Sequence, residues 1–325
     1  MDLDLDLAQV RAFVTTAETL HFGHAAARLG ISQQALSKRV ARLESLLGVR
    51  LFDREPGTRL TAAGERFEPA AREALAAGER AVSAALGVRR AVRLDVWGHL
   101  YAPMRTVAQA AAAFTAEAGG TVALEPGPGR DWESVAEALL AGTVDAGFGR
   151  VHALPGGRDQ GLAQRLVRLE PVDAVVSAEH PLAGAAEVRP TDLRDSTLWC
   201  PAELPRLDFL RRFADEFGIT RREDGPNLGT DHLTRHLRAD PTRFTLVPAD
   251  APLPDPTGLR SLPLTAPTPL YAWSLTWRTT PHPHPLLPAL LHAFTTTAHT
   301  HHWLTYHPTT DWLPPPDRPK LTPTL

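Results

Sequence analysis

Between Ser32 and Gly48 the hydrophobic residues recur with the period of an α-helix. They are spaced by four, three and four positions, and they are Leu36, Val40, Leu43 and Leu47. This spacing places them on one face, and no proline or glycine interrupts the run. Ser32 is a residue type that caps helix N-termini. The pattern predicts a helix with one buried face, whose opposite face is polar and basic: Gln33, Gln34, Ser37 and Lys38, flanked by Arg39 and Arg42.

A shorter helix, from about His24 to Leu29, precedes this one, and Gly30-Ile31 forms the turn between them. Two helices joined by a glycine-containing turn are typical of the helix-turn-helix motif, whose second helix lies in the major groove of DNA. The polar side chains of the second helix could reach base edges and phosphates, since no carboxylate occurs before Glu44. The alternative interpretation is a surface helix with a solvated basic face.

The segment from Leu51 to Leu60 is typical of a β-hairpin wing. Pro56-Gly57 supplies the turn, and Arg54 and Arg59 lie on the two arms. Arginines at these positions would meet phosphates or the minor groove. A solvated turn with scattered charges is the alternative.

Two further helices are predicted around this motif. The first carries apolar residues at helical spacing that would pack under the recognition helix: Leu7, Val10, Phe13, Val14, Ala17 and Leu20. The second runs from Thr61, an N-cap residue type, to about Leu86, and Pro69 should kink it mildly. Its alanine-rich face suits close pairing with another helix, and packing on the chain's own second half is the alternative.

From Arg93 onwards the pattern alternates between strands and helices. The predicted strands are Val92–Trp97, Val122–Glu125, Val144–Phe148 and, near the end, Leu275–Arg278. The predicted helices are Tyr101–Ala118, Ser134–Ala141, Asp208–Gly218 and Leu286–Phe294. Strand-helix-strand alternation predicts a parallel sheet covered by helices. The low-complexity, proline-rich segment 303–325 is expected to be disordered.

Composition restricts the class of protein further. The 325 residues exceed one ordinary domain, and 43% hydrophobic with 22% charged residues is typical of soluble globular proteins. No run of 18 apolar residues occurs and the N-terminus is acidic, so we expect a cytoplasmic protein that does not bind membranes. Residues 7–90 carry 13 basic against 8 acidic residues although the whole chain has a net charge of −3. A basic N-terminal module on an acidic body suits contact with nucleic acid at one end.

The segments Phe22–Ser37, Leu43–Arg54 and Arg59–Glu65 resemble the N-terminal domain of LysR-type transcriptional regulators. The segments Leu169–Val176 and His180–Ala183 resemble the start of that family's second effector subdomain. The resemblance implies a winged helix-turn-helix (residues 1–61), a linker and dimerisation helix (62–90) and a two-lobed α/β effector domain (91–302) similar to type 2 periplasmic binding proteins. It implies that lobe 1 comprises about 91–165 and 265–302, and lobe 2 about 166–264. Where the family usually has a glycine-rich turn before a Leu-Val-Pro strand, this chain has residues 238–243, Arg-Ala-Asp-Pro-Thr-Arg.

Ligands of two-lobed α/β folds bind at the carboxyl ends of strands. The positions that follow predicted strands or begin helices in this half are Trp97, His99, Gly127, Phe148, Cys200 and Thr230. Unpaired backbone N–H groups at the helix starts near His99 and Thr230 favour an anionic effector such as a small organic acid. The alternative is that these side chains only fill the cleft.

Other chemistry is not expected. Cys200 is the single cysteine, so no internal disulfide can form and a thiol switch would lack a resolving partner. Histidines between His282 and His307 lie in a Pro/Thr-biased segment, so no metal site is predicted. No catalytic set or phosphate loop is present, and neither catalysis nor a cofactor is expected. This excludes an enzyme, or a solute binder that acquired a DNA-binding segment.

The sequence therefore predicts a LysR-type regulator that binds operator DNA and responds to a small-molecule effector. Its expected partners are double-stranded operator DNA, the effector, further copies of itself in a dimer or dimer of dimers, and RNA polymerase. The alternative is a regulator of the same DNA-binding type whose C-terminal half mediates only oligomerisation.

Overall fold

The computed structural model describes residues 4–53, 57–86, 91–98, 101–117, 124–127, 129, 131–253, 255, 257–280 and 283–318. Its N-terminal part consists of α1 Leu7–Thr19, α2 Phe22–Arg28, α3 Gln33–Leu47, β1 Phe52–Asp53, β2 Arg59–Leu60 and α4 Ala62–Leu86. Strands β1 and β2 form an antiparallel two-stranded sheet. The predicted helix-turn-helix, wing and linker helix are thus confirmed as elements of the fold.

The N-terminal core forms where the apolar faces of the first three helices meet. Leu36, Val40 and Leu43 on α3 are fully buried, as is Phe13 on α1. Removing these side chains from water is what holds the short helices together, since an isolated helix of this length is marginal in water. The turn between α2 and α3 has Gly30 in the left-handed region at φ 64°, a conformation that glycine adopts without a Cβ clash.

Linker helix α4 begins at a tight junction with the wing. The Thr61 hydroxyl donates to the Arg50 carbonyl over 2.7 Å and accepts from the Gly64 amide over 3.0 Å. A Cβ built on Gly64 would lie 2.2 Å from the Leu51 carbonyl oxygen, so only glycine fits there. The helix continues through Pro69 without a break, and the Phe67 ring lies 5.1 Å from the Phe13 ring. The first half of α4 therefore packs on the helix-turn-helix.

The C-terminal half contains a mixed sheet with helices packed on it. Its elements are β3 Val92–Val96, α5 Met104–Glu117, β4 Leu124–Pro126, α6 Trp132–Leu140, β5 Ala146–Gly149, β6 Leu162–Ser177, β7 Thr197–Cys200, α7 Asp208–Phe217, β8 Arg222–Asp224, α8 Thr230–Ala239, β9 Arg243–Pro248, β10 Leu259–Leu262, β11 Thr268–Arg278, α9 Leu287–Thr300 and β12 Asp311–Trp312. The strand order is β4-β3-β5-β11-β6-β9-β7-β8, with β10 on β6 and β12 on β11. This arrangement confirms the predicted α/β class. The sheet is not parallel throughout as predicted, because β6 pairs antiparallel with both β9 and β11.

Long strand β6 passes from one lobe to the other. Its first part, residues 162–171, pairs antiparallel with β11, and residues 172–176 pair with β9. The strands that lead to the cleft, β3 with β5 and β7 with β8, are parallel, so their carboxyl ends lie on the same side within each lobe. In two-lobed α/β folds this edge is where ligands meet the protein.

The prediction of a disordered C-terminal segment is wrong for residues 303–318. β12 pairs in parallel with β11, matching Thr268 to Asp311 and Pro269 to Trp312. Trp312 is 5% exposed and Leu313 is fully buried. The proline-rich composition suggested disorder, but these two side chains bury enough apolar surface to fix the segment. The remaining residues of the predicted tail, 319–325, lie outside the described residues.

Candidate functional site

Recognition helix α3 is capped at its N-terminus by Ser32, as predicted, and at its C-terminus by Gly48. Ser32 Oγ accepts a hydrogen bond from the Ala35 amide over 3.2 Å. Gly48 ends the helix in the left-handed conformation at φ 69°, and its amide donates to the Glu44 carbonyl. The Ser32 hydroxyl oxygen therefore serves the cap, while the same group can still donate a proton outward.

The face of α3 opposite the buried leucines presents the predicted polar side chains to solvent. Four of them are exposed and two half-buried: Gln33, Gln34, Lys38 and Arg42 are exposed, while Ser37 and Arg39 are half-buried. The structure thus brings the predicted set together on one helix. Amide side chains can pair with adenine in two hydrogen bonds, and lysine and arginine can pair with guanine or phosphate. The chemistry of this face suits the major groove.

Glu44, the first carboxylate on α3, is directed to the wing. Its Oε1 accepts hydrogen bonds from the Leu51 amide over 2.8 Å and the Phe52 amide over 3.2 Å. The negative charge is therefore engaged in fixing the chain between α3 and β1 and does not oppose phosphates at the polar face. The sequence pattern gave no signal for this role.

The wing presents one described arginine. Arg59 on β2 is exposed and lies opposite Asp53 on β1. Gly57 adopts a φ of 85° in the turn. Arg54, predicted on the other arm, lies outside the described residues.

His21 caps the first helix of the helix-turn-helix. Its Nδ1 accepts hydrogen bonds from the Gly23 amide over 3.0 Å and the His24 amide over 3.2 Å. The His21 and His24 rings stack with their centroids 4.2 Å apart. Histidine is not among the usual N-cap types, so sequence reasoning placed the helix start two residues late.

Three of the six predicted effector residues are core residues. The Trp97 ring stacks on Trp132, and its Nε1 donates to the Arg150 carbonyl over 3.1 Å. Phe148 is fully buried and stacks on Trp273. Cys200 is fully buried, and burial raises the pKa of its thiol to about 12. Hydrophobic packing encloses each of these three side chains, as the cleft-filling alternative expects, and their contact with an effector stays a prediction.

Of the other three predicted effector residues, the structure describes Gly127 and Thr230. Gly127 approaches Asp95 so closely that an added Cβ would lie 2.7 Å from its Cγ. Thr230 is exposed at the first turn of α8. His99 lies outside the described residues. Gly127 directly follows β4 and Thr230 begins α8, so the two lie at different elements of the described chain.

The cleft between the lobes contains a different cluster, centred on Arg150 at the end of β5. Its Nη2 lies 2.9 Å from Asp208 Oδ2 on α7, in an ion pair. Its Nε donates to Asp317 Oδ2 over 2.8 Å. All three side chains are at most 8% exposed. One guanidinium thus joins lobe 1, lobe 2 and the C-terminal segment.

The charges of this cluster are strongly coupled. Burial alone would raise the pKa of Asp208, but Arg150 and Arg212 outweigh it and hold that pKa at about 2. Burial raises the pKa of Asp317 more than Arg150 lowers it. The pKa of Asp208 is therefore lowered and that of Asp317 is raised, although both carboxyls face the same guanidinium.

Aromatic rings line the rest of the cleft. Tyr101 stacks on Tyr271 with centroids 4.5 Å apart, and Phe209 meets the Tyr271 ring edge-on at 5.0 Å. The Arg150 guanidinium lies over the Phe209 ring. The Tyr101 hydroxyl is buried without a hydrogen-bond partner among the described residues. Burial, followed by Tyr271, raises the pKa of Tyr101 well above its ordinary value.

Further ion pairs connect the lobes around this cluster. Arg206 Nη2 lies 2.7 Å from Asp131 Oδ2 at the start of α6. Arg105 on α5 pairs with Glu170 on β6 over 3.0 Å and with Asp250 over 2.7 Å. Glu170 also accepts the Trp273 indole N–H over 2.6 Å, and burial raises the pKa of its carboxyl. The sequence offered no signal for these pairs, because their members are far apart in the chain.

Two further kinds of feature are absent from the described part of the chain. No group of three or more His, Cys, Asp or Glu side chains there has the geometry to hold a metal ion. No described helix is both long and apolar enough to cross a bilayer.

Two family profiles match the chain. One, described as bacterial regulatory helix-turn-helix protein, lysR family, matches residues 7–65. The other, described as LysR substrate binding domain, matches residues 106–298. Together they cover both halves of the fold described above. The chain belongs to the LysR family of bacterial helix-turn-helix regulators.

Individual relatives agree with this assignment. The uncharacterized regulator YnfL of Escherichia coli is 34% identical over 195 residues, which are 59% of this chain and 64% of that protein. The regulator TfdT of Cupriavidus pinatubonensis is 36% identical over 160 residues, 47% of this chain and 68% of that protein. The alignment with the E. coli regulator therefore spans less than two thirds of its length.

Solved structures share the fold over nearly the whole chain. A full-length OxyR variant from Pseudomonas aeruginosa superposes with a TM-score of 0.64 at 20% identity, covering 90% of this chain and 94% of that one. CbnR, described as a LysR family transcriptional regulator, gives a TM-score of 0.64 at 23% identity, covering 90% and 99%. At these identities the likeness establishes the fold.

Proposed function

We propose that this chain is a transcriptional regulator that binds duplex operator DNA through the polar face of α3 and the wing. Its C-terminal half would respond to a small-molecule effector. The observation that carries the DNA-binding part is the division of α3 into two faces. Leu36, Val40 and Leu43 are fully buried, whereas Gln33, Gln34 and Lys38 are exposed.

Exposed amides beside a basic side chain on a rigid helix suit direct reading of bases. The helix is fixed by its core, so its polar groups are held in place before DNA arrives. Arg59 and, by its position in the sequence, Arg54 would contact phosphates from the wing. A solved structure of CbnR in complex with its target DNA supports the proposal, since that protein shares this fold. Contact with RNA polymerase, expected of such a regulator, belongs to the same proposal.

Gln34→Ala tests this assignment. Loss of a bidentate contact should weaken binding to the preferred sequence by about 1–3 kcal/mol and relax the preference at one base pair. The measurement is selection from a randomised operator library, followed by affinity titration of the selected duplexes. Gln109→Ala is the matched control, because Gln109 is an exposed glutamine on α5. Equal sequence preference in the Gln34 variant and the control would contradict the proposal.

The proposed effector site lies between the lobes, at the carboxyl ends of the strands. Two polar groups there could orient a ligand: Arg150, and the Tyr101 hydroxyl, which has no partner among the described residues. Gly127, Thr230 and His99 stay candidates at its edges by their positions after strands and at helix starts. A buried arginine is well suited to bind a carboxylate, so an organic acid is the class we propose.

The packed cleft favours one other function for the C-terminal half. If the cleft never opens, this half would serve oligomerisation alone. Thermal-shift measurements against pools of metabolites separate the two possibilities, because a ligand that binds the folded state raises the melting temperature. An unchanged melting temperature with every pool would favour the oligomerisation function.

Self-association is proposed to use the second half of α4. Val82 on that helix is 59% exposed, and Leu7 at the start of α1, whose Cδ1 lies beside Gly78, is 40% exposed. An apolar patch along a helix suits pairing with a second copy. Val82→Arg should shift the sedimentation coefficient towards that of a monomer. The control Ala186→Arg, in an exposed loop, should leave it unchanged. If the Val82→Arg variant sedimented as a dimer like the wild type, the apolar patch would not be the dimer interface.

A further inference from the structure

The C-terminal segment 311–318 lies against the cleft that the proposed function assigns to the effector. It pairs with the start of β11 and then turns through a short 3₁₀ segment, Pro315–Asp317, that ends at Arg150. Trp312 packs against Phe209, Phe213 and Phe217 of α7, with ring centroids 5.3–5.9 Å away. The segment therefore touches lobe 2 with its indole and lobe 1 with its carboxylate.

The carboxylate of Asp317 holds Arg150 in the manner of a bound anion. Asp208 does not depend on this arginine alone, because Arg211 and Arg212 also lie 2.9 Å from it. Asp317 thus takes Nε of Arg150, whereas Asp208 lies against Nη2 of the same guanidinium. Any other carboxylate that reached this position could form the same charge-assisted hydrogen bond.

The fit of the segment to the cleft is incomplete. The Trp312 Nε1 and the Tyr101 hydroxyl are both buried, and neither has a hydrogen-bond partner among the described residues. Buried polar groups without partners weaken an association relative to one that satisfies them. A ligand with a carboxylate and a second polar group could satisfy Arg150 and Tyr101 together.

We propose that segment 311–318 is a tethered occupant of the effector site. The effector is then an organic carboxylate that takes the place of Asp317 on Arg150 and displaces the segment. This inference rests on the proposed effector function. Tethering gives the segment a high effective concentration, so it sets a threshold that the effector must exceed. When the segment leaves, Arg150 loses its contact with Asp317 and no longer connects the C-terminal segment to the two lobes.

Hydrogen exchange of the full-length protein tests the first part. Asp317→Asn removes the charge that faces Arg150 and should raise the exchange rate of the amides in residues 311–318 by at least about tenfold. Asp311→Asn is the matched control, since it removes the same charge from the same segment. The Asp311 carboxylate accepts a hydrogen bond from the His307 amide instead of facing Arg150. The Asp317→Asn side chain could keep one hydrogen bond to Arg150 and so hold the segment. Asp317→Lys is therefore the second variant, because its charge repels Arg150 directly. Unchanged exchange in both Asp317 variants would overturn the proposal.

Binding of the segment in trans tests the second part. The probe is a synthetic peptide of residues 311–318, titrated into full-length protein. The Asp317→Lys protein, whose own segment is released, should bind this peptide at least about tenfold more tightly than wild type does. A peptide carrying Asn at the position of Asp317 should bind more weakly by a similar factor. Equal affinity for both peptides, or equal affinity of both proteins, would overturn the assignment of Arg150 as the carboxylate site.

These results are independent of DNA binding. The same variants can be titrated with operator DNA, which tests the proposed regulator function through α3. If neither the wild type nor the variants bound operator DNA, the proposed regulator function would be contradicted. The exchange and peptide results on the C-terminal segment would still be valid.

Discussion

The recognition helix and the interlobe cleft use polar side chains in opposite ways. On α3, Gln33, Gln34 and Lys38 extend into solvent from a helix whose other face is fully buried. In the cleft, Arg150 and Asp317 are both at most 6% exposed and pair with each other. One region offers its polar groups outward, and the other pairs its charged groups within the chain.

The difference follows from the free energy of exposing or burying a polar group. An exposed amide is hydrated and adds little to folding, so its identity is free to serve a partner such as DNA. A buried charge must be paired, and removing its partner is costly. Substitutions on the outer face of α3 should therefore change the free energy of unfolding little, whereas substitutions of the paired charges in the cleft should lower it. The following predictions test this contrast in order of decreasing effect.

The largest effect is expected on the inner face of α3. Leu36→Ala removes a fully buried side chain and should lower the free energy of unfolding of the N-terminal domain by about 2–5 kcal/mol. Chemical denaturation measured by circular dichroism gives this value. Gln34→Ala, on the outer face of the same helix, is the matched variant and should change it by less than about 0.5 kcal/mol. Equal destabilisation by the two variants would contradict the division of α3 into two faces.

A smaller effect is expected from Asp208 in the cleft. Its pKa in the folded protein, about 2, lies below the unfolded value, so its charge stabilises the fold above about pH 4. That contribution, about 2 kcal/mol, is lost as the pH falls towards 2. Asp208→Asn should therefore flatten the acid limb of stability measured by denaturation between pH 5 and 2. If the free energy of unfolding of the Asp208→Asn variant fell as steeply between pH 5 and 2 as that of the wild type, other carboxylates would cause the loss of stability in acid.

The smallest effect is expected at the wing. Arg59→Ala should reduce the salt slope of DNA binding by about one unit and weaken preferred and random duplexes almost equally. Fluorescence anisotropy at several salt concentrations measures the slope. Arg235→Ala, an exposed arginine on α8, is the control. A loss confined to one duplex sequence would show that Arg59 reads bases.

Sequence reasoning succeeded where structure depends on local periodicity. The spacing of Leu36, Val40 and Leu43 determined which face of α3 is buried, and with it the positions of the polar residues. Helix α3 and its caps follow from residues within one short segment. The α/β alternation likewise gave the class of the second half, although α9 extends to Thr300, beyond the predicted end at Phe294.

It failed where structure depends on contacts between distant residues. Arg150, Asp208 and Asp317 come together only when β5, α7 and the C-terminal segment fold against one another. No spacing in the sequence indicates that Asp317 faces an arginine. Trp97 follows β3 and Phe148 lies near the end of β5, where a ligand residue is expected, but both stack on other aromatic rings. This stacking also depends on tertiary packing.

Lysine labelling provides the most direct test of DNA reading by the polar face of α3. The chain has two lysines, Lys38 on α3 and Lys320 near the C-terminus, so mass spectrometry after amine acetylation reports on each separately. Saturating operator DNA should slow acetylation of Lys38 by at least about tenfold, because a lysine paired with a phosphate or base is shielded, and should leave Lys320 unchanged. Acetylation of Lys38 at the same rate with and without bound DNA would contradict the proposal that this face enters the groove.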